Sequence, residues 1–377
     1  MAYGLVFGGG GVRGAYHIGV WKALSEMKVP VCAVCGSSIG AINAALFVGS
    51  DLETAEKIWN EIKLQDVVAL DTPDFSEDLF SIKNIIKLAK EFRHSKGLKM
   101  KPLADILRAN IDEERVFSSP VELGLVTYNR TEKKECPIYK SQIPRGSLVD
   151  YLMASACLPG FKSVVINNNK YLDGCITNTI PINILTDIGI RDIIAVDVKG
   201  IGIYKEFNTA GRNIISIECK KPYTGTMDFD SDGVKKSISE GYFDTLSAFG
   251  KIHGGTYYLQ NDDYLLAKAK YSDEIIEGIF SAAKILDIDN LLVWDFDALT
   301  KETLKKYNQT ELTSELVALL SKNNFEKIAT LKDDSQRLCL LVKLLQKDGF
   351  DFIKSHADKF LGGYYKAASA LIYFLER

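Results

Sequence analysis

Five short apolar runs, Leu5–Phe7, Val31–Cys35, Leu123–Tyr128, Ile193–Val198 and Ile214–Ile217, recur between stretches whose apolar residues fall at helical spacing. Near-continuous Val- and Ile-rich runs of strand length belong to strands buried on both faces, and strands separated by helices pair in parallel. The pattern predicts an α/β fold with a largely parallel central sheet. From about Tyr264 the strand-like runs give way to helical signals. Ser335–Lys347 has Asp333 and Asp334 before it and Gly349 after it, which suits the two ends of a helix. We therefore expect a first domain over 1–261 and a mostly helical C-terminal region over 262–377. No linker, repeat or low-complexity tract separates them, so the second is expected to pack on the first.

With 377 residues the chain exceeds the ~250–300 at which a single core stops growing. Its net charge of −3 gives no electrostatic footprint for nucleic acid. Seven cysteines, at 32, 35, 136, 157, 175, 219 and 339, show no disulfide framework and suit a reducing compartment. Cys32 and Cys35 form a CxxC, but in a strand residues three apart face opposite sides, so core packing is expected there. The start, Met1–Phe7, lacks the basic and apolar regions of a signal peptide. No stretch approaches the ~20 apolar residues of a spanning helix. A cytoplasmic protein is expected, with any membrane contact peripheral.

Cys35-Gly36-Ser37-Ser38-Ile39-Gly40 follows one of the strand runs and precedes a good helix start at Ala41–Leu46. A tight strand-to-helix turn flanked by glycines leaves Ser38 exposed at a helix N-terminus, where developing negative charge is favoured. Gly8–Gly11, followed by Val12-Arg13-Gly14, sits between the first strand and a helix from about Ala15 to Met27. Its side-chain-free amides could converge on an anion. A nucleotide phosphate is disfavoured, because the P-loop Lys-Ser/Thr pair and a ribose-binding acid are both missing. Both loops follow successive strands, so the glycine loop could serve Ser38 as an oxyanion hole; a structural turn is the alternative. Four histidines, His17, His94, His253 and His356, offer no persuasive partner for Ser38, and His17 reads as a packing or surface residue. Asp173, in Tyr171-Leu172-Asp173-Gly174, could take the serine proton directly if a dry site raised its pKa. Taken alone, Asp-Gly is also a common turn.

These segments, together with Ala154-Ser155-Ala156-Cys157-Leu158-Pro159-Gly160-Phe161 ahead of Asp173-Gly174, resemble the patatin-like phospholipase family in identity, order and spacing. The likeness continues through Asn178–Pro181 and Ile193–Asp197 and covers roughly residues 1–200. It implies the patatin-like layered fold, with Ser38 as acyl-enzyme nucleophile, Asp173 as base, and Gly9, Gly10 and Gly11 with Arg13 as the oxyanion region. It also implies a phospholipid or other fatty-acyl ester substrate and no metal or cofactor. Cys175 departs from the family, many members of which carry a second glycine there.

Two other readings stay open. A Ser-His-Asp hydrolase is one, although His253-Gly254-Gly255 lies on the wrong side of Ser38 to supply its oxyanion motif. A catalytically silent scaffold is the other. Activator and oligomeric state are not legible. Between Asp78 and Lys101, the apolar residues Leu79, Ile82, Ile85, Ile86, Ala89 and Phe92 recur at helical spacing with seven basic residues. That segment reads either as a peripheral membrane contact or as a packed helix with a solvated basic face.

Overall fold

The computed structural model describes residues 2–69, 97–220, 222–320, 325–348 and 362–377. The chain divides into two compact units, 1–248 and 249–377.

Unit one is built on an eight-stranded sheet. Its strands are β1 (Tyr3–Phe7), β2 (Val31–Ser37), β3 (Glu122–Asn129), β4 (Lys134–Tyr139), β5 (Val164–Ile166), β6 (Asn169–Asp173), β7 (Asp192–Asp197) and β8 (Asn213–Glu218), in the order β5-β6-β3-β2-β1-β7-β8 with β4 on β3. The five central strands, β3 to β8 through β2, β1 and β7, are parallel. Val6, Cys35 and Ala195 share one core cluster with Ile184 and Leu185, while the alternate positions Leu5, Phe7 and Val34 are equally buried. Successive strand residues face opposite sides, so this sheet is covered on both faces, which is why its strands read as unbroken apolar runs. The helices that matter for the site are α1 (Ala15–Glu26), α2 (Ile39–Gly49), α3 (Leu52–Glu61), α4 (Leu148–Ser155) and α5 (Ser231–Ala248).

Strands β2 and β7 lie on opposite sides of β1. Chain connections therefore diverge at β1, and in such sheets a crevice opens beyond the carboxyl ends of the strands. The loops leaving β1, β2 and β7 all reach that edge. The antiparallel part brings in one more segment. Along Gly124–Asn129, β3 pairs with β4 on one edge, so β6, which pairs with Thr127–Asn129, must use the other. That other edge is occupied by β2 up to the pair Ser37↔Val126. The next pair on β3 is Thr127↔Asp173, so β6 takes over where β2 ends.

Unit two, 249–377, is mostly helical, with the helices α6 (Asp273–Ile285), α7 (Phe296–Gln309), α8 (Asp334–Asp348) and α9 (Gly362–Leu375). Its cores gather Leu338, Leu341, Leu345 and Leu371 in one cluster and Ile279, Phe280, Phe296 and Leu299 in another. A two-stranded parallel ladder joins Tyr258–Leu259 to Val293–Trp294. That ladder accounts for the boundary standing at 248/249, earlier than the 261/262 read from the sequence. Strands two residues long leave no periodicity to detect, and this pair ties 258–259 to the helical unit. Among the described residues no helix is long and apolar enough to cross a membrane. The basic amphipathic segment 78–101 lies outside the described residues up to 96; Lys101 opens a separate helix, Lys101–Asn110.

Candidate active site

Ser38 sits between β2 and α2 with φ 55° and ψ −126°, a left-handed conformation rarely adopted by a residue with a side chain. Strain of this kind, about 1–3 kcal/mol, persists only where the surroundings enforce it. Here they do: a Cβ on Gly36 would overlap the Gly40 carbonyl, and a Cβ on Gly40 would overlap the Phe7 carbonyl. The two glycines let the strand turn straight into the helix. The Ser38 carbonyl then accepts from Ala41 N–H (2.9 Å) and Ile42 N–H (3.3 Å), locking the first turn.

The register on β3 places the Asp173 carboxylate beside this elbow. Ser38 Oγ donates to Asp173 Oδ2 at 2.6 Å, and Cys175 N–H donates to Oδ1 at 2.8 Å. Asp173 is fully buried and Ser38 is 5% exposed. Burial pushes the Asp173 carboxyl up from 3.8 to about 6, against the Ser38 hydroxyl and the Cys175 N–H, which favour the charged form. The carboxylate is thereby poised to accept a proton near neutrality.

Ser155, unassigned from the sequence although it lies within the quoted 154–161 segment, accepts from Ser38 N–H at 3.0 Å and donates to Val126 O at 2.7 Å. The hydroxyl thus ties the elbow to β3 and leaves the Ser38 amide engaged.

The glycine loop is divided by its hydrogen bonds. Gly8 N–H goes to Val196 O and Gly9 N–H to Thr179 O, both at 2.9 Å, and Val12 N–H goes to Thr226 O. Among the described residues, the Gly10 and Gly11 amides are the pair in this loop without a protein acceptor. Gly9 instead makes room, since a Cβ there would overlap Cys175 Sγ. Arg13 sends Nε to Thr224 O at 3.2 Å and Nη1 to Lys199 O. Its guanidinium clamps two loops at the rim, with two of its five donors on carbonyls. Gly10, Gly11, Arg13, Ser38, Asp173 and Cys175 line one cleft of about 570 Å³. On the other side of Ser38 a narrow apolar pocket runs between Ile39, Ile42, Trp59, Leu103, Phe161 and Phe229. No sequence signal marked it, because its walls come from separate elements.

His17 lies fully buried in α1, stacked on Phe7 with ring centroids 4.5 Å apart. Burial holds its imidazole down at about 3, so it is neutral. Asn43 Nδ2 contacts His17 Nδ1 at 3.0 Å and Gly14 O at 2.9 Å, while Asn43 Oδ1 accepts from Trp59 Nε1 at 3.0 Å. Asn43 therefore joins the turn after the glycine loop, α2 and the pocket wall. His17 is a packing residue of this network. His253 stacks on Tyr264 in unit two, and His94 and His356 lie outside the described residues. We expect Asn43→Ala to leave the buried Trp59 N–H without its acceptor and to lower stability by about 1–3 kcal/mol, measured by urea denaturation. A loss below about 1 kcal/mol would show that water replaces the amide.

Cys32 and Cys35 are separate thiols in β2, donating to Tyr3 O and Pro181 O, both at 3.5 Å. Among the described residues, no group of three His, Cys, Asp or Glu side chains could hold a metal ion.

Comparison with known proteins finds patatin-like relatives that match about half of this chain. The chain is 28% identical over 215 residues to a patatin-like phospholipase domain-containing protein of Caenorhabditis elegans, covering 53% of this chain and 14% of that protein. It is 28% identical over 203 residues to the neuropathy target esterase of Drosophila melanogaster (52% and 13%), and 28% identical over 211 residues to a lysophospholipase of Cryptococcus neoformans (52% and 11%). The chain thus matches under a sixth of the length of each of these relatives. Among solved structures, VipD from Legionella pneumophila superposes with a TM-score of 0.44 at 12% identity, covering 99% of this chain and 90% of that one. The sequence profile of the patatin-like phospholipase family matches residues 5–186, a span holding the glycine loop, the Ser38 elbow and Asp173. Residues 5–186, just under half of the chain, thus carry a patatin-like phospholipase domain.

Proposed function

We propose that this protein hydrolyses fatty-acyl esters of phospholipids or lysophospholipids through a Ser38–Asp173 dyad. The observation that carries the reading is the 2.6 Å hydrogen bond from Ser38 Oγ to a fully buried carboxylate. Asp173 takes the proton of Ser38 as its oxygen attacks the ester carbonyl. The tetrahedral oxyanion faces the unengaged Gly10 and Gly11 amides, which stabilise it in a site largely closed to water. Collapse expels the alcohol, to which Asp173 returns the proton, and leaves the acyl group on Ser38. Water, activated by the same carboxylate, then releases the fatty acid. The apolar pocket beside Ser38 suits the acyl chain and the wider cleft suits the glycerol side of the substrate. Relatives named lysophospholipase and esterase support the substrate class.

A fluorophosphonate probe should label the protein at Ser38, and mass spectrometry of a lipid-class panel should detect free fatty acid with its lyso- or glycerol co-product. No label, together with no product from any lipid class, would leave the protein a silent scaffold. The pH profile adds a second check. Asp173 acts as base only when ionised, so kcat/KM should fall below an apparent pKa of about 6, tenfold per pH unit. A profile flat down to pH 4.5 would assign the base elsewhere.

A further inference from the structure

Among the described residues, three large apolar side chains, Ile201 (78% exposed), Ile203 (56%) and Tyr204 (47%), are exposed within four consecutive positions. Single exposed apolar residues are ordinary, but a run of them marks a contact surface. This run follows β7, on the carboxyl edge that carries the elbow and the glycine loop. Ile201 and Gly202 also form part of the cleft wall around Ser38 and Asp173.

The loop is held in this shape. Ile203 N–H donates to Cys175 O at 2.9 Å, and Ile203 O accepts from Thr179 N–H at 2.7 Å. The Tyr204 hydroxyl lies 3.1 Å from both Gly200 O and Asp197 Oδ1. Gly202 packs so closely that a Cβ would overlap the Cys175 carbonyl. With its backbone fixed at these points, the loop cannot turn Ile201 and Ile203 inward without losing several hydrogen bonds.

Charge and position decide what fits there. Lys199 is paired with Asp197 (2.9 Å) and Glu218 (2.8 Å), and Lys205 with Glu135 (3.3 Å). The flanking lysines are neutralised, so the patch offers apolar area without net positive charge. A protein seated on it would close the cleft, whereas a lipid surface would feed it. We propose that Ile201, Ile203 and Tyr204 dock this protein onto a neutral lipid surface with the cleft mouth facing the lipid, driven by apolar burial. The inference rests on the acyl-hydrolase reading, and it assigns the contact to a surface other than the basic segment 78–101.

The test is sedimentation of the full-length Ser38→Ala protein with phosphatidylcholine vesicles, which reads binding without turnover. Binding should persist in about 1 M salt, where the screening length shrinks to about 3 Å. Ile203→Asp should weaken it about tenfold or more, and Ile203→Trp should strengthen it. Ile203→Asp in the protein with Ser38 intact should hydrolyse a soluble short-chain ester at the unaltered rate. Absent vesicle binding, binding lost in salt, or equal binding by Ile203→Asp would overturn the proposal. Self-association of the vesicle-free protein that Ile203→Asp abolishes would replace the lipid with a second copy of the chain. A slower Ile203→Asp on the soluble ester would place the residue in the cleft instead. Vesicle binding as expected, combined with full soluble-ester activity in Ser38→Ala, would sink the hydrolase reading and leave the docking surface standing.

Discussion

Ser38→Ala and Asp173→Asn are each expected to lower kcat on a soluble ester by about 10³-fold or more with the fold intact, and the double variant should lose little beyond either single change. Non-additivity follows because the two side chains act as one unit, sharing a single proton across 2.6 Å. The stability of Asp173→Asn separates a base from a structural carboxylate. Folding raises the Asp173 pKa from 3.8 to about 6, so the folded protein binds this proton more tightly than the unfolded chain. The contribution of the group is therefore fully present below about pH 4 and is lost as pH rises through about 6. At pH 8 the ionised side chain costs up to about 3 kcal/mol. Asparagine removes that cost, so Asp173→Asn should melt higher than the parent at pH 8, with the gap narrowing toward pH 4. A variant that melts lower at pH 8 would mean the carboxylate holds the loop together. A single-histidine variant with a loss matching Ser38→Ala, and no unfolding, would replace the dyad with a triad.

The second large effect belongs to the glycine loop. Gly10→Ala and Gly11→Ala should each lower kcat by about 10²–10³ while KM changes by less than about threefold, since the two free amides act on charge that develops only after attack. The routes differ. At Gly10 a Cβ comes within 2.6 Å of Val198 Cγ2, a side chain able to shift, so the amide is re-aimed while the fold survives. At Gly11 the backbone has φ 61° and a Cβ would overlap the Thr226 carbonyl, so stability should fall as well. Gly10→Ala is therefore the cleaner variant, and wild-type turnover on a short-chain ester would remove the loop from the chemistry. Gly9→Ala should act differently, by displacing Cys175 and with it the N–H that holds Asp173.

The strands of the parallel core were readable because burial on both faces writes itself as continuous Val- and Ile-rich runs. All five runs overlap strands of the sheet, from β1 to β8. β4 escaped for the opposite reason, since Lys134–Tyr139 carries polar residues and a proline. At the site, the elbow and the glycine loop announce themselves locally, since each follows from glycines at fixed offsets. The neighbourhood of Asp173 does not, because it depends on β6 running antiparallel along the free part of β3, and no short window of residues encodes that. The division of labour within Gly9–Gly11, the clamp made by Arg13, the role of Ser155 and the Asn43 bridge are all hydrogen-bond choices between distant elements. Sequence can nominate such residues, but only geometry says which amide is left over.

The way β6 takes over from β2 along one edge of β3 also has a bearing on synthesis. Ser38 and Asp173 are separated by 135 positions, so the elbow leaves the ribosome long before its carboxylate exists. At about 5–20 residues per second, the interval is on the order of ten seconds. During that time the nascent chain carries a serine with an ordinary hydroxyl. On the proposed dyad, reactivity awaits strand addition, when residues 169–173 dock beside β3, so a chain truncated before 173 should be inert toward fatty-acyl esters.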